Sequence, residues 1–301
     1  MRIFVVIVTY NGRKWIEHCI GRLKESQVSV TPIVIDNLST DETVVFIQEH
    51  YPEVLLIKNH INAGFGKANN IGILKAIELQ ADYIFLLNQD AWIEPDTIRL
   101  LVEELQRNSA FGLASPVHYN GNGTKLDFNF SYYINPIDTP ELISDTFLNK
   151  RKCIYKTKFV NAAAWLLSVE CIKKVGLFDP LFPHYGEDWD YINRIHYHGF
   201  KVGIVPEATI YHDRDSSNYV LNQKRLFVDK LIQLKNVEAS FSFNVLNLFV
   251  SSTNSMIKLL MFRQFRKFKD EFLTFSFAIK KLHSIKRSYN ISRKVGSYLK
   301  Y

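Results

Sequence analysis

Short apolar runs alternate with helix-like stretches over the first 110 residues of the chain. Four runs are rich in branched apolar residues and are bounded by turn or polar residues, as strands are: residues 3–8, 31–36, 54–58 and 83–87. Helical patterns follow them, beginning near residues 14, 39, 64 and 95. The runs are continuously apolar, which is typical of parallel strands covered on both faces. The pattern predicts an α/β fold with a mostly parallel, Rossmann-like sheet flanked by helices.

Polar side chains follow three of these strands at their carboxyl ends. They are Thr9 and Asn11 after the first strand, Asp36 after the second, and the Asn88-Gln89-Asp90 segment after the fourth. In such sheets, ligands bind at the carboxyl ends of the strands. The sequence therefore predicts a binding site at this edge of the sheet.

The chain after residue 110 is less regular. Aromatic and asparagine residues without a clear period over 116–158 indicate loops and antiparallel strands. Helices are predicted over 169–175 and 187–197, each followed by a glycine. A strand-like run with a turn at Pro206-Glu207 leads to His212, whose imidazole is either a metal ligand or a structural group.

The composition is that of a globular protein with a full core. Of 301 residues, 47% are hydrophobic and 22% are charged, which excludes intrinsic disorder. The three cysteines are odd in number and form no CxxC pair, so a reducing compartment is expected rather than a disulfide scaffold or a structural zinc site. No apolar run approaches about 18 residues, and the apolar start is too short for a signal peptide. These features predict a cytoplasmic protein.

Basic charge is concentrated near the C-terminus. Residues 241–301 hold twelve lysines and arginines against two acids, while the net charge of the whole chain is +7. Apolar residues recur there every three or four positions between basic ones, which predicts an amphipathic basic helix: Phe262, Phe265, Phe268, Phe272, Phe275 and Ile279. This helix either attaches the protein to an anionic surface on the inner face of the cell membrane, or packs on the main domain or in a homodimer. No nucleic-acid-binding motif is present.

Two single carboxylates are candidates for ligand binding. Asp36 would accept a hydrogen bond from the imide N–H of a pyrimidine base, or simply cap a turn. Asp90 would bind Mg²⁺ or Mn²⁺ together with substrate phosphates, or be a turn residue. The segment 62–70 leads into a helix whose N-terminus favours anions, although it matches no known phosphate-binding motif.

A cluster of acids begins the helix predicted over 187–197. Glu187, Asp188 and Asp190 occupy three of four positions beside Tyr185 and Trp189. Capping and the helix dipole explain acids at a helix start, but not three of them together with two aromatic residues. One carboxylate would serve as a general base, and an aromatic ring would stack on a sugar.

The order and spacing of these segments resemble family 2 inverting glycosyltransferases of the GT-A fold over about residues 3–215. Within the family, the sequence is most similar to bacterial rhamnosyltransferase-like members of polysaccharide assembly. The matching segments are Val-Thr-Tyr-Asn at 8–11, Ile-Asp-Asn-Leu-Ser-Thr-Asp at 35–41, residues 62–72, Leu-Asn-Gln-Asp at 87–90, Gly-Leu-Phe-Asp at 176–179, Tyr-Gly-Glu-Asp-Trp-Asp at 185–190 with Arg194 and Gly199-Phe200, and Tyr-His at 211–212.

The resemblance implies a role for each matching residue. Asp188 would be the catalytic base, with Glu187 and Trp189 shaping the acceptor site. Asp90 and His212 would hold Mg²⁺ or Mn²⁺ on the diphosphate of the donor. The donor, a dTDP- or UDP-sugar, would be bound by Thr9, Asn11, Asp36, Asn62 and Asn69. The acceptor would be a glycan or a lipid-linked sugar.

The resemblance also suggests where the chain divides and where it departs from the family. Residues 1–215 would form the GT-A domain, and residues 216–301 a helical, basic C-terminal extension. The family's metal motif is often Asp-x-Asp, whereas Asn88 carries no charge, so metal use would be weaker or would depend more on His212.

Two other functions remain open at this point. A sugar-phosphate nucleotidyltransferase would need a glycine-rich basic loop after the first strand, and residues 9–14 are a poor match to one. A non-catalytic nucleotide-sugar-binding protein at the membrane is the second alternative. The retention of Asp36, Asp90, Asp188 and His212 together argues against it.

Overall fold

Nine strands form one mixed sheet in the computed structural model, which describes residues 1–182, 185–214 and 223–299. The strand order is β3-β2-β1-β4-β8-β6-β9-β5, and β7 pairs with β9. The strands are β1 (Ile3–Thr9), β2 (Thr31–Asp36), β3 (Leu55–Lys58), β4 (Tyr83–Asn88), β5 (Ala91–Ile93), β6 (Phe111–Asn120), β7 (Tyr155–Thr157), β8 (Ala164–Ser168) and β9 (Lys201–His212).

Helices cover both faces of this sheet and continue beyond it toward the C-terminus. One hydrophobic core lies against α3, α7 and α8, and a second lies on the other face against α1 and α4. The helices are α1 (Arg13–Gly21), followed by a 3-10 turn (Arg22–Glu25), α2 (Thr43–His50), α3 (Phe65–Glu78), α4 (Thr97–Arg107), α5 (Phe128–Tyr133), α6 (Leu142–Phe147), α7 (Val169–Val175), α8 (Glu187–Tyr197), α9 (Gln223–Leu234), α10 (Phe241–Met261), α11 (Phe265–Lys280) and α12 (Leu282–Ser292).

The first half of the sheet confirms the predicted α/β architecture. Strands β3, β2, β1 and β4 are parallel neighbours, so their carboxyl ends lie at one edge. Beyond β4 the sheet becomes mixed, because β8 runs antiparallel to both β4 and β6. Strands β6 and β9 consequently run in the direction of β4, so His212 at the end of β9 lies at the same edge of the sheet as Thr9, Asp36 and Asn88.

Three local details differ from the sequence-based expectation. Helix α2 begins at Thr43 rather than near residue 39, because the Asp41 carboxylate accepts a hydrogen bond from the Thr43 amide at 3.1 Å. Strand β9 continues through Pro206, where its register against β6 shifts between Val205 and Thr209, so a bulge replaces the predicted turn. The irregular stretch 116–158 contains β7 and two short helices, α5 and α6.

The apolar stripe of the basic tail is divided by the structure. Helix α10 ends at Met261, and Arg263 adopts a φ of 54° before α11 begins. On α11, Phe275 and Ile279 pack on a third hydrophobic core with residues of α9, α10 and α12, whereas Phe272 is exposed. Within the described part of the chain, no helix is long and apolar enough to cross a membrane.

Candidate active site

The loops that follow β1 and β4 are tied together by one glutamine side chain. Gln89 Oε1 accepts hydrogen bonds from the Thr9 hydroxyl at 2.8 Å and from the Tyr10 amide at 2.9 Å. Asn11 has a φ of 49°, and its Oδ1 accepts a hydrogen bond from the Thr40 amide at 2.8 Å. Thr9 and Asn11 therefore shape the edge of the sheet through contacts with neighbouring loops.

Asp36 is buried at the end of β2 and closes its own turn. Its two carboxylate oxygens lie 3.3 and 3.2 Å from the Ser39 amide, which donates to them. The side chain is only 3% exposed. The turn-capping role is thus present in the structure, and the base-binding role stays a prediction.

Asn37 organises the loop that precedes α3, a function that the sequence did not single out. Its Nδ2 donates to Asn62 Oδ1 at 2.8 Å, and its Oδ1 accepts from the Ala63 amide at 2.9 Å and from Asn59 Nδ2 at 3.1 Å. Asn69 is buried within α3 and donates to the Phe65 carbonyl at 3.1 Å. Asn62 thus lies at the cleft, while the amide of Asn69 is engaged inside its own helix.

Three adjoining cavities form one cleft along this edge. A cavity of about 580 Å³ lies beside the β1, β2 and β4 loops and is lined by Tyr10, Asn37, Asn62 and Asp90 among others. A middle cavity of about 230 Å³ shares Phe65, Asn88 and Asp90 with it. A third cavity of about 630 Å³ shares Asn161, Tyr185, Asp188 and Arg214 with the middle one. Asp90 and Asp188 therefore face the same central space from opposite ends.

His212 lines the middle cavity and lies between the carboxylates of Asp90 and Asp127. His212 Nε2 lies 3.4 Å from Asp90 Oδ1, and its Nδ1 lies 3.3 Å from Asp127 Oδ2. Burial disfavours the imidazolium, but the two carboxylates outweigh this effect and raise the pKa of His212 to about 9. In turn the histidine overcomes the burial penalty of Asp90 and lowers the pKa of that carboxyl group. The structure thus brings His212 and Asp90 together, and their predicted role as metal ligands stays a prediction.

The donor atoms at this point suit a hard divalent cation. Asp90 offers a carboxylate, and the buried Asn88 Oδ1 lacks a hydrogen-bond partner among the described residues. His212, protonated between its two carboxylates, would offer an imidazole nitrogen only after an incoming cation displaces a proton from it. No group of three or more His, Cys, Asp or Glu residues within the described ranges could hold a metal ion alone. Mg²⁺ and Mn²⁺ commonly complete their coordination with substrate phosphates and water. The residues present therefore fit an ion that arrives with a diphosphate.

The acids at the start of α8 serve different purposes in the structure. Glu187 and Asp188 line the middle cavity, and Asp188 also lines the 630 Å³ cavity. Asp190 points away and accepts a hydrogen bond from Arg194 Nε at 2.8 Å. Burial raises the pKa of both cleft carboxyls, and the charge of Asp188 raises that of Glu187 further. This pair is therefore disposed to hold and exchange a proton.

Aromatic side chains form the wall of the 630 Å³ cavity. Trp189 stacks on Phe159 with ring centroids 3.7 Å apart and an interplanar angle of 6°. Tyr132, Tyr133 and Tyr185 line the same space. One face of the Trp189 ring is thus covered by Phe159 while the residue remains 40% exposed, and its role at the acceptor site stays a prediction.

Several site residues were missed by the sequence analysis. Asp127, Asn161 and Arg214 have no local motif that relates them to the cleft, and Asp127 is recognisable only as the N-cap of α5. The 630 Å³ cavity is also lined by Arg225, Val228, Asp229 and Ile232 of α9. This helix lies beyond the division predicted at residue 215, so part of the cavity wall comes from the C-terminal extension.

Buried oxygens without partners surround the middle cavity. Asn88 Oδ1, Asn161 Oδ1 and Glu187 Oε2 have no hydrogen-bond partner among the described residues, and all three residues line this cavity. Buried polar atoms are normally hydrogen-bonded. These three oxygens are therefore hydrogen-bond acceptors that no donor among the described residues satisfies.

Comparison with known proteins identifies relatives by sequence and by fold. The chain is 29% identical to the dTDP-rhamnosyl transferase RfbF of Shigella flexneri over 212 residues, covering 70% of this chain and 68% of that protein. It is 24% identical to the N-acetylglucosaminyl-diphospho-decaprenol L-rhamnosyltransferase of Mycobacterium tuberculosis, covering 71% and 76%. A match of 27% identity to the chondroitin synthase of Escherichia coli covers 48% of this chain but only 21% of that protein.

A solved structure supports the fold, and a family model supports the family. The structure of Staphylococcus aureus TarS 1–349 superposes with a TM-score of 0.59 at 16% identity, covering 97% of this chain and 90% of that one. The model for glycosyl transferase family 2 matches residues 4–176, more than half of the chain. The resemblance inferred from the motifs is thereby confirmed, and the protein belongs to glycosyl transferase family 2.

Proposed function

We propose that this glycosyltransferase moves a sugar from a dTDP- or UDP-sugar to an acceptor hydroxyl, with inversion at the anomeric carbon. One observation carries the proposal: Asp90 and Asp188 line the same 230 Å³ cavity between a polar cavity and an aromatic one. The nucleotide would occupy the 580 Å³ cavity, the donor sugar the middle one, and the acceptor the aromatic one.

In this arrangement Asp188 acts as the general base. Its carboxylate takes the proton from the acceptor hydroxyl as that oxygen attacks the anomeric carbon from the face opposite the nucleotide. The bond to the nucleoside diphosphate breaks as the new glycosidic bond forms. Glu187, with its raised pKa, stays protonated at neutral pH and can donate a hydrogen bond to a sugar oxygen, while Trp189 positions the acceptor ring.

Negative charge on the departing diphosphate must be stabilised at the Asp90 side of the cavity. Asp90 and His212 would hold Mg²⁺ or Mn²⁺ there, and the ion would act as a Lewis acid on the diphosphate. Asp127 Oδ2 lies 3.3 Å from Nδ1, the other ring nitrogen of His212. Asn62 lines the nucleotide side, and Thr9, Asn11, Asp36 and Asn69 support that wall or contact the nucleoside.

The names of the relatives guide the choice of substrates. RfbF is a dTDP-rhamnosyl transferase, and a second relative transfers L-rhamnose to a diphospho-decaprenol-linked sugar. TarS has been solved with UDP and with UDP-GlcNAc. We therefore propose a dTDP- or UDP-linked hexose as donor, with rhamnose as the first sugar to test, and a glycan or lipid-linked acceptor in bacterial cell-surface assembly.

A nucleotide panel tests the donor half of this proposal. Uridine, thymidine, guanosine and cytidine diphosphates are each added with and without Mn²⁺ while thermal unfolding is followed. Binding to the native state stabilises it by about 2.7 kcal/mol at a hundredfold excess over Kd. We expect a shift for a pyrimidine diphosphate that Mn²⁺ enlarges and Asp36→Ala abolishes. No shift with any of the four diphosphates would contradict a nucleotide-sugar enzyme.

The turn between α10 and α11 carries the proposed membrane contact. Met261, Phe262 and Phe265 are 75%, 72% and 64% exposed. Arg263, Arg266, Lys267 and Lys269 lie exposed beside them, and none has a described carboxylate within 4.0 Å as an ion-pair partner. Each basic residue near an anionic bilayer contributes about 1 kcal/mol. Exposed apolar side chains beside cations that lack an ion-pair partner among the described carboxylates fit peripheral attachment to an anionic membrane.

Vesicle sedimentation distinguishes this attachment from simple surface exposure. The protein is expected to sediment with vesicles containing anionic lipid at low salt and to remain in solution with zwitterionic vesicles. Replacing Phe262 and Phe265 by serine should weaken binding, whereas Phe147→Ser, which changes an 83% exposed residue on α6, should not. Equal vesicle binding by the two variants would exclude this turn as the membrane contact. If the Phe262 and Phe265 variant instead differed from the unmodified protein in molecular mass without vesicles, the turn would belong to a homodimer interface.

A further inference from the structure

Four buried charged side chains meet at α8. Asp190 and Arg194 belong to this helix, Asp179 precedes it in the chain, and Lys235 comes from the C-terminal extension. Lys235, just after α9, is fully buried, and its Nζ lies 2.8 Å from Asp179 Oδ2 and 3.6 Å from Asp190 Oδ1. Arg194 donates from Nε to the other oxygen of Asp190 at 2.8 Å. Two cations thus balance two carboxylates, and all four side chains are at most 2% exposed.

The polar atoms around Lys235 are arranged for an ammonium group. Its Nζ donates to Ser288 Oγ at 2.9 Å and to Ser292 Oγ at 2.5 Å, both on α12. With Asp179, these hydroxyls use all three N–H donors of the lysine. Asp190 Oδ1 is buried without a hydrogen-bond partner among the described residues, so the nearby charge of Lys235 is its main compensation on that side.

Helix α9 also touches the beginning of α8 directly. Gly186, the N-cap of α8, has a φ of 85°, and a Cβ at this position would lie 2.7 Å from Val228 Cγ1 on α9. Phe182 of the preceding loop packs into the core formed by α9, α10, α11 and α12. The C-terminal helices therefore pack against the start of α8, whose first turn carries Asp188.

We propose that Lys235 is a positioning residue that holds α8 through Asp190 and Asp179, and so places Asp188 at the cleft. The inference rests on the proposed function, in which Asp188 is the base. It also means that the C-terminal extension contributes to turnover, separately from any membrane contact. A displacement of about 1 Å of a reacting group can cost about 10²-fold in rate. The described polar partners of Lys235 include no residue of the 580 Å³ cavity on the nucleotide side.

The chain offers a matched control for this lysine. Lys230, five residues earlier and within α9, is also buried, and it pairs with Glu271 of α11 and donates to Ser252 of α10 at 3.2 Å. These partners lie within the C-terminal helices and include no residue of α8. Lys230→Met therefore removes a comparable buried charge from the same segment without removing an ion pair to Asp179 or to α8.

The test compares Lys235→Met with Lys230→Met in the full chain. Thermal unfolding, nucleoside diphosphate binding, kcat and donor KM are measured for both variants. We expect both to unfold at lower temperature, but only Lys235→Met to lose kcat, by about 10²-fold, with donor KM and nucleotide binding nearly unchanged. Equal losses of kcat in the two variants, or an unchanged kcat in Lys235→Met, would overturn the inference.

A gentler pair of variants covers the case in which Lys235→Met does not fold. Ser292→Ala removes one hydrogen bond to Lys235 and keeps its ion pairs, and Ser252→Ala does the same for Lys230. A several-fold lower kcat in Ser292→Ala alone supports the inference, and equal kcat values refute it. If the unmodified protein turns over no nucleotide sugar, the proposed function fails; if it does and the variants match it, only the role of Lys235 fails.

Discussion

Asp188→Asn is expected to lower kcat by about 10²–10⁴-fold, the usual contribution of a general base, while nucleotide binding stays nearly normal. The amide keeps the shape of the side chain and can still accept the hydrogen bond from the Trp189 amide, which is 2.8 Å long. It cannot take a proton from the acceptor. Steady-state kinetics with the preferred nucleotide sugar, together with thermal shifts by the nucleotide, separate turnover from binding.

The pH dependence of the unmodified protein provides a second measurement of the same group. Asp188 must be ionised to accept a proton, and burial raises its pKa. As the pH falls, kcat/KM should therefore decline through an apparent pKa above about 3.9, the ordinary aspartate value. This acidic limb should be absent from the residual activity of Asp188→Asn.

A control variant checks that charge removal at a helix start is not itself damaging. Glu170→Gln neutralises an exposed acid in the first turn of α7 and should leave kcat unchanged. Near-normal turnover in Asp188→Asn would assign the base to another residue, with Glu187 as the next candidate. Equal losses in both variants would indicate a general effect on folding.

Asp90→Asn is expected to remove the metal-dependent part of both donor binding and turnover. The amide keeps an oxygen donor but loses the charge that attracts a divalent ion and that pairs with His212 at 3.4 Å. A metal Lewis acid stabilises transition-state charge by several kcal/mol, so we expect a loss of at least about 10²-fold in kcat/KM. The Mn²⁺ enhancement of the thermal shift by nucleoside diphosphate should disappear.

Mn²⁺ binding provides a readout that does not depend on activity. The spectroscopic signal of free Mn²⁺ is recorded as protein and nucleoside diphosphate are added, and it should fall with the unmodified protein but not with Asp90→Asn. Asp82→Asn, at the opposite end of β4, serves as the control and should behave like the unmodified protein. Unchanged Mn²⁺ binding in Asp90→Asn would show that the ion, if used, is held elsewhere.

The parallel half of the sheet could be predicted because its signals are local. Each buried strand is a continuous apolar run, and the polar residues that follow β1, β2 and β4 are adjacent to those runs in the chain. Parallel pairing then brings the strand ends together, so Thr9, Asp36 and Asn88 share one edge. The acid-rich start of α8 can likewise be recognised from consecutive residues, and its two predicted site acids, Glu187 and Asp188, line the middle cavity.

The rest of the site depends on contacts between distant parts of the chain. Nothing near Asp127 indicates that it faces His212, because the pairing arises only when β6, α5 and the end of β9 come together. The same holds for Asn37, whose amide organises the loop before α3. Side chains of these types cap turns and loops at many positions, so their role follows from which partner they meet.

The C-terminal helices show the same difference between what local sequence signals predict and what tertiary contacts decide. Apolar periodicity predicted a basic amphipathic helix, but periodicity cannot distinguish a stripe that packs from one that remains exposed. Tertiary packing buries Phe275 and Ile279 partly against the helical core and leaves Phe262 and Phe265 in solvent. The sequence by itself thus determined the family, the parallel half of the sheet and the placement of Asp90, Glu187 and Asp188 at the cleft, because these are encoded by neighbouring residues. Only the tertiary structure decided that α9 lines the cleft and that Lys235 supports α8, because a buried charge acquires its partners when separate segments pack together.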